Sequence, residues 1–471
     1  MGQEDHHYPF AGCGNPKVRL GVVSTAGGEV RWFDLEKSYG PDFYLPRVKW
    51  LPDNTLVVQV RVSSARAFAA QPAPRPRPAR PPRRCLTRVG CGGQVQNRAQ
   101  TAVEVLHIWP QTGERKVLLE ERSDAWVNLH KMFTPLKQSP RFLWASERTG
   151  FQHLYVYDYA GQLERQLTSG DWMVEEVKAV DEQAGLVYFM GTRSGWLERH
   201  LYSVPLGGGD VVQITREPGV HNVIFDHRNG RFVDQYSSAE LPFRVNVCDA
   251  KDGAVVRALF ANNDARLPRL ALAPPQFATF PSLDGRVTLQ AAVLRPDPAK
   301  FGPGPYPTVV PVYGGPHVQT VSNSWTVTAD LRSQFLCSQG YLVLKIDNRG
   351  SARRGLGFES EVRWDMGNLE VQDQKAGVQW AAAQGLADPS ALPARPAAAA
   401  PRPARSDPMP GGAPAELRET LTWAVRARAG RARRHLRVEL RWVHGRHGAR
   451  ARTGRVPGRR RGRPGHELGR L

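Results

Sequence analysis

The stretch Thr308–Pro316, TVVPVYGGP, decides how the rest of the chain is read. Its β-branched run predicts a buried parallel strand, and the tyrosine, paired glycines and proline that follow predict a tight turn. Gly314-Gly315 lets the backbone pass close to a bound molecule, because glycine has no Cβ and tolerates positive φ. Taken alone, a glycine turn after a buried strand is most often only a turn. At the carboxyl end of a sheet strand it can also present groups that stabilise an oxyanion.

Working outward, Phe277–Phe280 and Val287–Leu294 read as strands flanking an Asp284-Gly285 turn, Leu331–Gln339 as a short helix and Tyr341–Asp347 as a second buried strand. Glu370–Gln384 reads as an amphipathic helix with Val371, Val378 and Ala381–Ala383 as its apolar face. Strands alternating with helices predict a doubly wound, mostly parallel sheet. The next element should be a strand bearing a serine on a sharp turn, written G-x-S-x-G, yet no such motif occurs in the chain. Asp347 could pass for a triad acid, but it precedes the nucleophile position, whereas hydrolase order is Ser, Asp, His. It reads as a loop-shaping acid near the site, together with Arg349.

From Val18 to about Leu270 the pattern is short alternating strands between Gly, Asp and Asn turns. His153-Leu154-Tyr155 recurs as His200-Leu201-Tyr202 and Gln166-Leu167-Thr168 as Gln213-Ile214-Thr215, both 47 residues apart. Gly113, Gly161, Gly208 and Gly253 step by 48, 47 and 45 residues. That period suits one four-stranded propeller blade, and it marks His153 and His200 as blade architecture. Gly207-Gly208-Gly209 has no helix after it and reads as a hairpin turn, not a phosphate cradle.

The repeat exposes an insertion. Gly28 to Gly113 is 85 residues, and removing the 33 residues Val62–Gln94 leaves 52 and joins VVQVR to VQNRAQTAVEVL as one continuous strand region. The insert is rich in Pro, Arg and Ala without apolar periodicity, a composition that predicts disorder. Val62-Ser63 can be encoded by GTGAGY and Gln94 by CAG, the ends of an intron. A translated intron is the expectation, a low-complexity loop the alternative.

The net charge of +20 is confined to two places. Val62–Gln94 contributes +7 and Ala391–Leu471 contributes +15, so the remainder carries about −2, which argues against nucleic-acid binding. Five cysteines, Cys13, Cys85, Cys91, Cys248 and Cys337, form no CxxC pair and no metal-ligand spacing with histidine. Scattered thiols, no signal-type N-terminus and no run of eighteen apolar residues predict a soluble, cytoplasmic chain.

The YGGP turn, Gly340–Ser351 (GYLVLKIDNRGS), Gly355–Phe358 and Met366–Gln374 (MGNLEVQDQ) together resemble the catalytic domain of the prolyl oligopeptidase family, within its dipeptidyl peptidase IV branch. The resemblance covers roughly residues 8–60 and 95–390. It implies a partial β-propeller of about five blades (1–270), then the N-terminal half of an α/β-hydrolase domain (271–390). The implied activity is that of a serine peptidase releasing N-terminal dipeptides with proline or alanine second, on peptide substrates, with no cofactor, metal, nucleic acid or membrane partner. Tyr313 matches the family tyrosine whose hydroxyl helps stabilise the tetrahedral oxyanion. No substrate-binding residue is identified, because the family's amine-binding glutamate pair belongs N-terminal to this start. Glu175-Glu176 reads instead as a solvated turn. The family tends to homodimerise, which is not expected of this shortened chain.

After Ser390 the composition becomes that of high-GC DNA read in the wrong frame, so 391–471 is expected to be an out-of-frame tail in which His435, His444, His447 and His466 carry no weight. Shifting by one nucleotide lets the segment from Arg437 encode GWSYGGFM or GWSYGGYM, and Pro464–Gly469 encode PVTSWD, both of which resemble the family in order and spacing. The serine would then lie in the lost frame, and the stop would precede the family's Asp and His. This chain is accordingly expected to be inactive as written. The competing reading is a shortened, non-catalytic propeller that binds peptides or proteins; the unpaired edges of an unclosed propeller and a cut sheet weigh against it.

Overall fold

The computed structural model describes Cys13 and residues 17–40, 43–62 and 100–391. The expected insert from 63 onward and the expected tail beyond Ala391 lie outside the described residues. The first half of the chain is a series of antiparallel sheets. β1 (Leu20–Val22) and β2 (Arg31–Phe33) form a two-stranded sheet. Four four-stranded sheets follow, each in sequential order. The first comprises β3 (Phe43–Trp50), β4 (Leu56–Val62), β5 (Ala102–Ile108) and β6 (Arg115–Arg122); the second β7 (Thr134–Pro135), β8 (Arg141–Ser146), β9 (His153–Asp158) and β10 (Leu163–Gln166). The third comprises β11 (Val174–Asp181), β12 (Leu186–Gly191), β13 (His200–Pro205) and β14 (Val212–Gln213); the fourth β15 (Val220–Phe225), β16 (Arg231–Ser237), β17 (Arg244–Asp249) and β18 (Val255–Ala261). These are the blades of a partial propeller.

The sequence repeat is a repeat of hydrogen bonds. In the second blade the Thr168 hydroxyl oxygen accepts from Leu154 N at 3.0 Å and lies 3.0 Å from His153 Nδ1, while Gln166 Nε2 donates to Thr168 O at 2.8 Å. In the third blade Thr215 takes the same place, 2.9 Å from Leu201 N and 3.2 Å from His200 Nδ1, and Gln213 Nε2 donates to Thr215 O at 2.8 Å. All four spaced glycines sit in the turn between the third and fourth strands, with φ between 78° and 85°. Two of them also carry the blade junctions: a Cβ at Gly161 would run into Leu118 O of the preceding blade, and one at Gly253 into Ile214 O. Each blade face is closed by an apolar cluster shared with its neighbour, such as Leu143, Val156, Val174, Val187 and Phe189 between the second and third.

One expectation is corrected here. The segments either side of the insert do not run on as one strand; β4 and β5 pair antiparallel, Arg61 opposite Val103, so residues 63–101 join neighbouring strands of one blade.

The second domain begins with the hairpin β19 (Gln276–Pro281) and β20 (Thr288–Leu294), turned at Asp284-Gly285. β20 pairs antiparallel with β22 (Leu342–Asp347), and β22 pairs in parallel with β21 (Thr308–Val309), giving the order β19-β20-β22-β21. The parallel pairing is therefore the last one; β19 and β20 pair antiparallel as a tight hairpin requires, and β20 also runs antiparallel to β22, so the described sheet is mixed and not mostly parallel. β21 is shorter than the predicted Thr308–Tyr313, since only its first two residues are paired, although Val310 is buried. The helix Leu369–Ala383 also differs from expectation. Val371 is 57% exposed, and the buried face is carried by Glu370, Asp373, Gln374, Ala376, Gly377 and Ala381.

That polar face has a partner. Arg349, 1% exposed, donates side-on to Asp373 through Nε (3.0 Å to Oδ2) and Nη2 (2.7 Å to Oδ1), and its backbone N donates to Oδ2 at 2.9 Å. Nη1 reaches the hairpin turn at Asp284 Oδ2 (2.7 Å) and Glu361 Oε2 (3.2 Å). The Ser282 hydroxyl and then Arg349 hold the Asp284 carboxyl below the usual range. A fork of this geometry satisfies carboxylates that burial would otherwise penalise.

Two predictions follow from these bonds. Thr168→Val and Thr215→Val should each destabilise the full chain by about 1–3 kcal/mol, because each leaves a buried backbone N–H without its acceptor; urea unfolding that shows a cost at only one site would refute the equivalence. Arg349→Met should cost about 3–5 kcal/mol by leaving Asp373 buried and unpaired, and adding Asp373→Leu should recover most of it. Equal midpoints for the single and double variants would count against that account.

Candidate functional site

β21 runs into the YGGP turn at its carboxyl end, where open α/β sheets place their ligands. Gly314 has φ 81°, and Asn348 Nδ2 donates to Gly314 O at 3.3 Å, tying the turn to the end of β22. Tyr313 leaves this turn 51% exposed. Under the turn lies the polar face of the helix Leu369–Ala383. There Gln374 Nε2 donates to Asn348 Oδ1 at 3.0 Å, while Glu370 Oε2 and Gln374 Oε1 are buried without a hydrogen-bond partner.

Asp347 fixes the loop that follows. Its Oδ1 accepts from Thr320 N and Thr320 Oγ1, both at 2.7 Å, and Val321 N lies 3.1 Å from Oδ2. Burial pushes this carboxyl up to about 6, against the pull of those donors. Asp347 is thus a loop-shaping acid, as its place before the nucleophile position suggested. The clamped loop reaches the propeller: Gln319 Nε2 donates to Trp196 O at 2.7 Å, and Asn323 N to Leu197 O at 2.8 Å.

Between the domains lies a cavity of about 900 Å³, walled on the propeller side by Trp126, Asn128, Glu147 and Glu175 and on the other by His317 and Arg353. Its far wall holds Glu175, which ion-pairs with both Arg199 and Arg353. Its near wall holds Glu147 and Glu359, bridged by Asn128 Nδ2 at 3.0 and 2.9 Å. Trp126 Nε1 donates to Glu359 Oε1 at 3.2 Å, and His317 Nδ1 lies 3.1 Å from the same oxygen. The cavity thus presents fixed positive and negative groups, and Pro316 of the YGGP turn lines the same space.

Sequence reading picked out Tyr313, Asp347 and Arg349 and missed the cavity walls. Glu175-Glu176 is not a solvated turn: both residues lie in β11, where a register shift between Val174 and Glu176 turns Glu175 inward to the arginines. Glu176 alone fits the expectation, 56% exposed beside Lys178. Asn128, Glu147 and Glu359 sit in no motif, and only the fold brings them together. Among the described residues no group of three or more His, Cys, Asp or Glu could hold a metal ion. No helix among them is long and apolar enough to cross a membrane.

Comparison with known proteins places this architecture. The family model described as the dipeptidyl peptidase IV (DPP IV) N-terminal region matches residues 2–67 and 93–243, and that of the prolyl oligopeptidase family matches 326–395. The first match passes over 68–92, inside the Arg/Pro-rich stretch. Dipeptidyl peptidase 8 of Mus musculus is 29% identical over 81% of this chain and 46% of its own length. Its Homo sapiens counterpart is 32% identical over 57% of this chain and 34% of its own length. This chain therefore spans less than half of each. The crystal structure of Porphyromonas gingivalis dipeptidyl peptidase 4 superposes with a TM-score of 0.66 over 81% of this chain and 48% of that one, at 24% identity, which speaks to the fold. With a propeller joined to the start of an α/β-hydrolase sheet and both family models matched in that order, the chain belongs to the prolyl oligopeptidase family, in its dipeptidyl peptidase IV branch.

Proposed function

We propose that the gene behind this chain specifies a serine-type dipeptidyl peptidase, of which the chain carries the oxyanion-side and propeller-side walls. The observation that carries this reading is the YGGP turn at the carboxyl end of a sheet strand, with Tyr313 exposed and Pro316 of the same turn lining a charged cavity between the two domains. In this mechanism a serine attacks the carbonyl after the second residue of a peptide, preferring proline or alanine there. Tyr313 donates a hydrogen bond to the oxygen as it becomes an oxyanion, and collapse releases the shortened peptide and leaves a dipeptidyl ester for water to cleave.

The serine has a place to arrive. β21 is the edge strand of the described sheet, and the unpartnered Glu370 Oε2 and Gln374 Oε1 lie beneath the turn, awaiting donors. Those features support a strand and elbow next to β21. The sequence has no G-x-S-x-G, so this chain by itself supplies no nucleophile of that type. We further propose that 62–94 is an insertion and that the stretch after Ser390 is out of frame. The three described cysteines are free thiols, which suits a cytoplasmic setting.

Sequencing the native transcript across the codons for Val62–Gln94 and Ser390–Leu471 should remove the insertion and restore GWSYGG in frame. The protein it encodes should hydrolyse a Gly-Pro chromogenic amide and react with a fluorophosphonate probe. In it Tyr313→Phe should lower kcat by about 10²–10³. The chain as written should do neither. Turnover by the chain as written, or a transcript that matches it residue for residue, would overturn this reading.

A further inference from the structure

The near wall of the cavity is also where the two domains are fastened, and the fastening is built from acids. Glu147 follows β8 of the propeller, whereas Glu359 lies in the short helix Gly355–Ser360 of the second domain. One amide, Asn128 Nδ2, donates to both carboxyls at 3.0 and 2.9 Å. Three residues along each segment a backbone bond joins the same two pieces: Leu356 N donates to Gly150 O at 2.8 Å. The approach is close, since a Cβ at Gly355 would lie 2.8 Å from Gly150 O. Glu359 is well supplied, by Trp126, Asn128 and His317. Glu147 is not, for its Oε1 is buried with no hydrogen-bond partner.

A buried carboxylate oxygen without a donor is costly, and a second carboxylate beside it adds repulsion. Protonating Glu147 removes both penalties. We propose that Glu147 and Glu359 form a proton-held clasp between the propeller and the second domain, which takes up a proton when the cavity is closed and loosens when that proton leaves. This goes beyond the peptidase reading and does not depend on a nucleophile.

Of the other groups facing the clasp, His130 is kept neutral by burial, which pushes its imidazole down to about 4, and Arg122 pairs with Glu120. Glu121, from β6, is tied to Trp144 Nε1 at 2.9 Å, to Ser146 Oγ at 2.8 Å and to Arg148 Nη2 at 2.5 Å. Across the cavity Glu175 is matched by Arg199 and Arg353. His317 faces Glu359 from the loop after the YGGP turn. Burial first, and then Glu359, raises the Glu147 carboxyl from 4.5 to about 7. The sign follows: the closed state binds the extra proton, so closure is favoured at low pH and lost as pH rises through about 7. Between pH 6 and 8 a group of this kind changes the closing equilibrium about tenfold.

Hydrogen–deuterium exchange of the full chain tests this at the peptide spanning 355–360, with β9 as internal control. After correction for intrinsic rates, protection of the 355–360 peptide should fall about tenfold from pH 6 to pH 8 while β9 holds. Glu147→Gln should abolish the fall and Glu359→Gln should reduce it, since burial acts on Glu147 before Glu359 does; His317→Gln should leave it in place. A flat profile in the parent chain, or a fall that survives in both Glu→Gln variants, overturns the proposal. So does a fall abolished only by His317→Gln, which would assign the proton to the histidine. If Glu147→Gln alone loses β9 protection, the Glu359→Gln profile decides.

Discussion

The second domain depends on one buried guanidinium. Arg349 stands at the end of β22, and its fork holds the hairpin turn at Asp284, the segment at Glu361 and the helix Leu369–Ala383 at Asp373. Asp373 has no exposed surface, so neither charge has access to water in place of the other. The cost of removing them from solvent is met only by the side-on geometry and by the third bond from the Arg349 backbone. Lysine could not substitute, because an ammonium offers no planar fork to serve three acids at once. The position of the YGGP turn follows from this, since Asn348, the preceding residue, reaches Gly314 O and is itself held by Gln374.

The propeller is organised differently, by repetition. Its second and third blades use the same Thr–His–Gln arrangement, all four use the same glycine turn, and the turns of the second and fourth rest on the blade before. Middle strands such as RFLWAS and HLYVYD are buried on both faces, which is why they read as near-continuous apolar runs and not as alternation. The outer strand of the fourth blade, VVRALFA, is exposed along its whole length. The contrast shows how much of each blade's apolar content is meant for a neighbour.

This difference explains what could be read in advance. Features that repeat, or that need one residue type at one place, were legible: the blade period, the hairpin glycines, the paired histidines, the YGGP turn and the loop-shaping role of Asp347. Features that depend on where a side chain turns were not. The helix Leu369–Ala383 looked amphipathic through Val371, but acids and amides that carry their own buried partners can occupy an inner face as well as apolar groups do. Glu175 looked solvated because acidic pairs usually are; a strand irregularity of one residue sends it inward. Glu147, Asn128 and Glu359 are separated by up to 231 residues, and no local pattern links them.

The cavity is therefore a property of the domain junction more than of either domain. The YGGP turn is tied to β22 by Asn348, and the loop after it is tied to the same strand end by Asp347 through Thr320 and Val321. That loop bonds the third blade at Trp196 and Leu197, whose side chain packs with Ala292, Val321 and Val327 of the second domain. On the near side Gly150 and Glu147 of the second blade grip the helix Gly355–Ser360. A shift of the third blade would pull directly on the loop next to Tyr313, whereas a shift of the second would first open the acid pair. Two blades thus hold the second domain by different chemistry: the third through amide donors to carbonyls and to Glu198, which accepts from Asn323 Nδ2 at 2.9 Å, and the second through the amide-bridged acids Glu147 and Glu359.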